Sequence, residues 1–269
     1  LEFVWYLYLG YWLFLEDMSY IIALAGKGGT GKTTIAALLA RLLTENNCAP
    51  VLAVDADPNS NLAEALGLAQ GTTIGSIVDE VAAHPESIPS GMTKDRFVEY
   101  RVQSAVSEGR GIDCLSMGRS EGPGCYCYVN NCLRSVMEDL IRDYRYVIID
   151  NEAGLEHLSR RTTRRADALV VVADATSSGL KAASRISDLA RELKIDIKNA
   201  YLLINRGITD QAMSKIKDVK LDYLGCLPFD QTVEVISRNG GSLMELQDSA
   251  PVLGALRQLG EKIWFCSRQ

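Results

Sequence analysis

Basic charge is in short supply in this chain. Twenty-eight Lys and Arg stand against 34 Asp and Glu, a formal charge of −6, which argues against non-specific nucleic-acid binding as the main activity. No proline- or serine-rich linker interrupts the 269 residues, so residues 18–269 read as a single domain large enough to bury a sizeable core. The seven cysteines are odd in number and unevenly spread, a pattern of thiols and ligands rather than of a disulfide framework. No apolar run reaches the roughly 20 residues that span a bilayer. Residues 1–17 come nearest, being apolar and aromatic with neither Lys nor Arg. They also lack the basic start and the small-residue cleavage site of a signal peptide. With Met18-Ser19 directly before the first strand, residues 1–17 are expected to be an upstream extension outside the fold. The chain is expected to be cytoplasmic, without stable membrane insertion and without a nucleic-acid partner.

The sequence is organised around Gly26-Lys27-Gly28-Gly29-Thr30-Gly31-Lys32-Thr33-Thr34, which fits the phosphate-loop pattern G-x-x-x-x-G-K-[ST]. The apolar run at 20–25 reads as a buried parallel strand, and 35–43 is a row of strong helix formers. Glycines let backbone N–H groups turn inward toward phosphate oxygens, and the helix N-terminus adds its positive dipole end. Gly28, Gly29, Thr30, Gly31, Lys32, Thr33 and Thr34 are therefore expected to cradle a nucleotide. Lys32 would neutralise the β- and γ-phosphates, and the Thr33 hydroxyl would ligate Mg²⁺. Lys27 is a second lysine that a simple phosphate loop does not need.

Further along, a strand at 51–55 runs into Asp55-Ala56-Asp57-Pro58. Acidic groups at the carboxyl end of a parallel strand lie where α/β sheets bind ligands. Asp57 is thus a candidate to orient the attacking water or support the Mg²⁺ shell, while an Asx-Pro turn with a capping aspartate fits the same residues. Cys125 and Cys127 form a C-x-C pair on a glycine-rich loop. One chain offers two thiolates where a closed tetrahedral site wants four, and a two-fold dimer could complete such a site. Thiolates suit Zn²⁺, Cu(I) and iron–sulfur clusters, and Ni²⁺ in a tetragonal version. Two ordinary thiols fit the same pattern. The strand at 146–150 ends at Asp150, as a Walker B strand does, with Mg²⁺ held through water. The strand at 168–174 is the most apolar and is expected at the sheet centre. Arg160, Arg161, Arg164 and Arg165 are expected on one helix, and His84 in a surface loop. Strands alternating with helices predict an α/β, three-layer P-loop NTPase fold, its mostly parallel sheet flanked by helices.

The form K-G-G-T-G-K-T-T resembles the deviant Walker A of dimerising ATPases, a group that includes nitrogenase iron protein, MinD/ParA proteins and metallocentre-assembly ATPases. The resemblance implies an ATP-dependent homodimer in which Lys27 reaches the partner's nucleotide. Together with D-A-D-P-N-S-N-L, G-C-Y-C and D-N-E-A-G-L-E-H, residues 18–228 are similar to CooC-type ATPases, which help insert nickel into carbon monoxide dehydrogenase and have a relative acting on acetyl-CoA synthase. This implies that Asp57 belongs to switch I and that the Gly154 N–H of switch II faces the γ-phosphate. Asn205 would recognise the adenine edge, with Asp230 in a second base-contacting loop. Cys125 and Cys127 would bind Ni²⁺ or Zn²⁺ between two subunits. The implied function is an ATP-hydrolysing dimeric metallochaperone using ATP/ADP and Mg²⁺ and serving a client nickel enzyme. Two other readings are a MinD/ParA-like positioning ATPase and an iron–sulfur electron-transfer ATPase. The first wants a basic amphipathic anchor, which residues 253–265 do not make. The second resembles a protein with widely separated cysteines, unlike this tight pair.

Overall fold

The computed structural model describes residues 19–119, 127–152, 155, 165–207 and 210–264. Seven runs of β-branched and small apolar residues form strands: β1 Tyr20–Gly26, β2 Val51–Ala56, β3 Ile112–Ser116, β4 Tyr146–Asn151, β5 Arg165–Ala173, β6 Asp196–Ile204 and β7 Asp222–Cys226. They make one sheet in the order β3-β2-β4-β1-β5-β6-β7, and every pairing is parallel. A parallel sheet covered on both faces needs apolar residues at consecutive positions. β1 shows this directly, sending Ile21, Ala23 and Ala25 into one core and Ile22 and Leu24 into the other.

The helices divide between those two cores. α1 Lys32–Glu45, α2 Leu62–Ala65 and α9 Pro251–Gly260 pack on one face through residues such as Leu38, Leu62 and Leu256. α3 Ile74–Ala83, α4 Lys94–Gln103, α5 Cys127–Arg142 and α6 Ser177–Glu192 pack on the other through Ile77, Phe97, Met137 and Ala183. The short helix α7 Asp210–Ile216 adds Ile216 to the second of these cores, and α8 Gln231–Arg238 packs Val233 and Ile236 against the first. Threonines start three helices. Thr73, Thr93 and Thr176 each accept a backbone N–H of the first turn of α3, α4 and α6, which satisfies donors that the helix cannot. Among the described residues no helix is long and apolar enough to cross a membrane.

The three-layer α/β architecture is as the sequence predicts, with four local corrections. β1, not β5, occupies the middle of the seven strands: total apolarity marks a strand buried on both faces, and β1 is equally buried. Arg165 is the first residue of β5 rather than part of a helix, because its guanidinium pairs with buried Asp167 at 3.0 Å. Asp167 also accepts the Ile21 N–H at 2.9 Å and so ties β5 to β1. α5 begins at Cys127, so the second cysteine of the C-x-C pair opens a helix rather than lying on a loop. Finally, Cys114 and Cys226 are free thiols as expected, whereas Cys48 is half of a disulfide.

α1 is apolar nearly all round, as befits a helix covered on several sides, and beyond Lys32 of the phosphate loop its buried charge is Arg41. The guanidinium donates to the Leu246 carbonyl at 2.6 Å, to Asp248 at 2.6 Å and to Glu45 at 2.7 Å. It thereby pins the segment before α9 onto α1. Arg41→Ala is expected to lower the unfolding free energy by about 3 kcal/mol, since it strands buried acceptors. Asp248→Asn, at a mostly exposed partner, should cost less than about 1 kcal/mol. Urea denaturation of the two variants checks the contrast.

Candidate functional site

The carboxyl ends of β1, β2 and β4 converge. Asp150 at the end of β4 is in register with Leu24 of β1 on one side and with Asp55 of β2 on the other. The loop leaving β1 turns on two glycines that nothing else could replace. Gly26 has φ +155, and a Cβ there would collide with the Val172 carbonyl of β5. Gly31 has φ +91, and a Cβ would lie 2.5 Å from Nδ2 of Asn205. Positive φ and close approach are both conditions met by glycine alone.

Within the loop, the Thr30 hydroxyl donates to the Lys27 carbonyl at 2.9 Å. Lys32 is buried and its ammonium donates to the same carbonyl at 3.4 Å. Lys27, Gly28 and Gly29 are exposed. Lys27 Nζ lies 3.4 Å from Oγ of Ser178, in the first turn of α6.

Thr33, in the first turn of α1, donates its hydroxyl to Oδ2 of Asp150 at 2.5 Å. Asp150 is fully buried, and its Oδ1 has no hydrogen-bond partner among the described residues. Burial pushes its carboxyl up to about 7; the Thr33 hydroxyl and the Lys32 charge pull down, while Asp55 and Asp57 push up. Asp55 is equally buried and is pushed up to about 6, again by burial first. Its Oδ1 accepts the Asp57 N–H at 3.0 Å and its Oδ2 the Leu62 N–H at 2.8 Å. Asp55 therefore shapes the loop that carries Asp57. Asp57 accepts the Asn59 N–H at 2.9 Å, which is the expected Asx turn. The amide of Asn151 donates to the Leu24 carbonyl at 2.9 Å and stitches the end of β4 to β1. A bare carboxylate oxygen, a hydroxyl beside it and a lysine nearby are the donor set and charge balance that fit Mg²⁺ with a phosphate.

A cavity of about 250 Å³ adjoins the loop, lined by Gly31, Thr34, Asn205, Pro228, Phe229 and Asp230 among others. The sequence brings Asn205 and Asp230 to this place as expected, but their side chains are already bonded to backbone. Asn205 donates to the Thr30 carbonyl at 2.8 Å and accepts the Arg206 N–H at 2.9 Å. Asp230 caps α8, accepting the Thr232 and Val233 N–H groups at 3.0 and 3.3 Å. Cys125, Gly154 and His157 lie outside the described residues, and Cys127 is described only as the first residue of α5. Among the described residues no group of three or more His, Cys, Asp or Glu side chains could hold a metal ion. Asp55 and Ser178 are the neighbours that sequence reasoning missed. For Asp55 the signal was available, as the last strand residue in line with Asp150. For Ser178 there was none.

The family model of the CobQ/CobB/MinD/ParA nucleotide binding domain matches residues 21–243. The chain belongs to this family. It is accordingly a nucleotide-binding P-loop ATPase. An uncharacterized ATP-binding protein of Methanocaldococcus jannaschii is 40% identical over 248 residues, covering 90% of this chain and 98% of the relative. The carbon monoxide dehydrogenase accessory protein CooC of Rhodospirillum rubrum is 32% identical, covering 84% and 89%. Among family folds, MinD of Pyrococcus horikoshii complexed with Mg-ADP superposes with a TM-score of 0.65 at 20% identity, covering 91% of this chain and 96% of that one.

The buried carboxylates make the nucleotide-free protein pH-sensitive. The folded pKa of Asp150, about 7, lies above its ordinary value of 3.8, so between these limits the folded state holds a proton that the unfolded state has lost. Stability therefore falls as pH rises through this window and levels off above it. In EDTA without nucleotide, wild type should lose roughly 1 kcal/mol on this account from pH 6 to pH 8. Asp150→Asn should flatten that slope, as read by urea midpoints at both pH values.

Proposed function

We propose that this chain is a homodimeric, ATP-hydrolysing metallochaperone of the cytoplasm. It would take up Ni²⁺ or Zn²⁺ on Cys125 and Cys127 of two protomers and pass it to a client nickel enzyme such as carbon monoxide dehydrogenase or acetyl-CoA synthase. The observation that carries this reading is the position of the C-x-C pair. In sequence Cys125 falls between β3 and α5 and Cys127 opens α5, and Arg119, which follows β3, pairs with Glu152 at 3.8 Å. Glu152 lies two residues beyond Asp150, so the segment leaving β3 meets the end of the Walker B strand. The similarity to CooC of R. rubrum, named for its role with carbon monoxide dehydrogenase, supports the same reading.

In this mechanism the phosphate-loop amides and Lys32 bind and orient the β- and γ-phosphates. Thr33 and Asp150 would hold Mg²⁺, which when bound neutralises charge on those phosphates. Asp57 would orient the attacking water, and the Gly154 N–H would sense the γ-phosphate. Lys27, exposed and held among the described residues by one hydroxyl at 3.4 Å, would reach the nucleotide of a second protomer. ATP would thus close the dimer, and hydrolysis would open it and release the metal.

A MinD-like positioning role is the second reading, favoured by the 29% identity to the septum site-determining protein MinD of a Synechocystis strain over 244 residues. Metal content of anaerobically purified protein, with oligomeric state on the same samples, separates the two. The metallochaperone should hold about half a Ni²⁺ or Zn²⁺ per protomer, lost together with metal-dependent dimer in Cys125→Ser/Cys127→Ser. Equally little metal in both proteins, with ATP alone sufficient for dimerisation, would leave the positioning role in its place.

A further inference from the structure

Acidic residues near the carboxyl ends of the strands share a habit: a side-chain oxygen turns back onto the backbone that follows. Oδ1 of Asp55 in β2 accepts the Asp57 N–H at 3.0 Å, and Oδ1 of Asp174, directly after β5, accepts the Thr176 N–H at 3.0 Å. Beyond β7, Oδ1 of Asp230 takes the Thr232 N–H at 3.0 Å. In each case the N–H lies two residues on, the reach of an Asx turn. Such turns set the direction in which a loop leaves its strand.

Asn151, the last residue of β4, does otherwise. It is 1% exposed, and its Nδ2 donates to the Leu24 carbonyl at 2.9 Å. Its Oδ1 is just as sealed from water, yet it has no hydrogen-bond partner among the described residues. Buried acceptors are rarely left bare, because their desolvation is then uncompensated. The cation side of Asp150 does not account for it, since successive strand residues face opposite ways. Leu24 stands two residues before Gly26, so the same amide grips the strand that feeds the phosphate loop. Onward from Asn151 the chain runs through Glu152 and Ala153 to Gly154, the last two outside the described residues.

We infer that Oδ1 of Asn151 is the acceptor of an Asx turn that closes on the Ala153 N–H when ATP is bound. Asn151 is then the positioning residue for Gly154. This rests on the proposal that the Gly154 N–H senses the γ-phosphate. A γ-phosphate that draws Gly154 inward brings the Ala153 N–H with it, and the closed turn fixes both relative to Leu24 and the phosphate loop. ADP has no γ-phosphate and leaves the acceptor bare. The hydrogen bond is thus made on the way to hydrolysis and not on binding ADP.

Single-turnover hydrolysis of Mg-ATP by the full chain tests this, with Mg-ADP affinity measured by isothermal titration calorimetry on the same proteins. Asn151→Leu, of similar size but without a polar atom, should slow hydrolysis between about two- and ten-fold, the worth of one neutral hydrogen bond. Its affinity for Mg-ADP should stay within about two-fold of wild type. Asn151→Thr should recover part of the lost rate, because a hydroxyl closes the same kind of turn more weakly. Gly154→Pro, which has no N–H to offer, should be at least as slow as Asn151→Leu. Wild-type hydrolysis by Asn151→Leu, with Gly154→Pro slow, overturns the turn and leaves Gly154 as the sensor. Gly154→Pro at the wild-type rate overturns the sensor and the turn together. Parallel loss of hydrolysis and Mg-ADP affinity in Asn151→Leu overturns the positioning role, since the amide would then be only a stitch between β4 and β1. Asn151→Thr as slow as Asn151→Leu overturns it too.

Discussion

A carboxylate with one oxygen held and the other bare, sealed from water at the end of a central strand, is the constraint on which this molecule turns. When ionised, Asp150 can only accept. Thr33 satisfies Oδ2, and Oδ1 is left for a proton or a cation. An ionised carboxylate in such a place is costly unless paired. The fold creates the situation deliberately close to its remedy. β4 lies between β1 and β2, so Asp150 is set beside the phosphate loop that follows β1 and beside Asp55 at the end of β2. A metal–phosphate ligand would relieve the charge.

From that point the structure radiates through short, directional contacts. Asp55 fixes the turn that carries Asp57. Asn205 ties the phosphate loop to the end of β6, and the Leu227 backbone ties the loop after β7 to the same strand end. Arg119 and Glu152 connect the approach to the cysteine pair with the end of β4. Each of these segments is thus bonded to a strand end at the carboxyl edge of the sheet, where α/β folds place their ligand crevice.

Much of this was legible in the sequence because it depends on local chemistry. The phosphate loop, the strand-terminal Asp150 and the alternation of strands and helices follow from glycine conformations, periodicity and the needs of phosphate binding. Asn205 and Asp230 line one cavity beside the phosphate loop, yet their hydrogen bonds were not readable in the sequence. The amide of Asn205 reaches a carbonyl 175 residues away, and capping by Asp230 competes with any contact to a base. The centre of the sheet was misjudged for a similar reason, since composition reports burial and not strand order. The Arg41 network joins α1 to a segment about 200 residues further on, and no local pattern announces it.

The central claim is a nucleotide site shared between two protomers, and mixed-subunit complementation tests it most directly. Lys27→Ala keeps its own phosphate loop but lacks the reaching lysine, whereas Lys32→Ala keeps Lys27 but has a crippled loop. Each variant alone should hydrolyse ATP at least about ten-fold more slowly than wild type. Mixed in equal amounts they should regain a substantial part of the activity, because one protomer's loop meets the other's Lys27. A mixture no faster than the sum of its parts, over a range of protein concentrations, would contradict a shared site and return Lys27 to a role within its own chain.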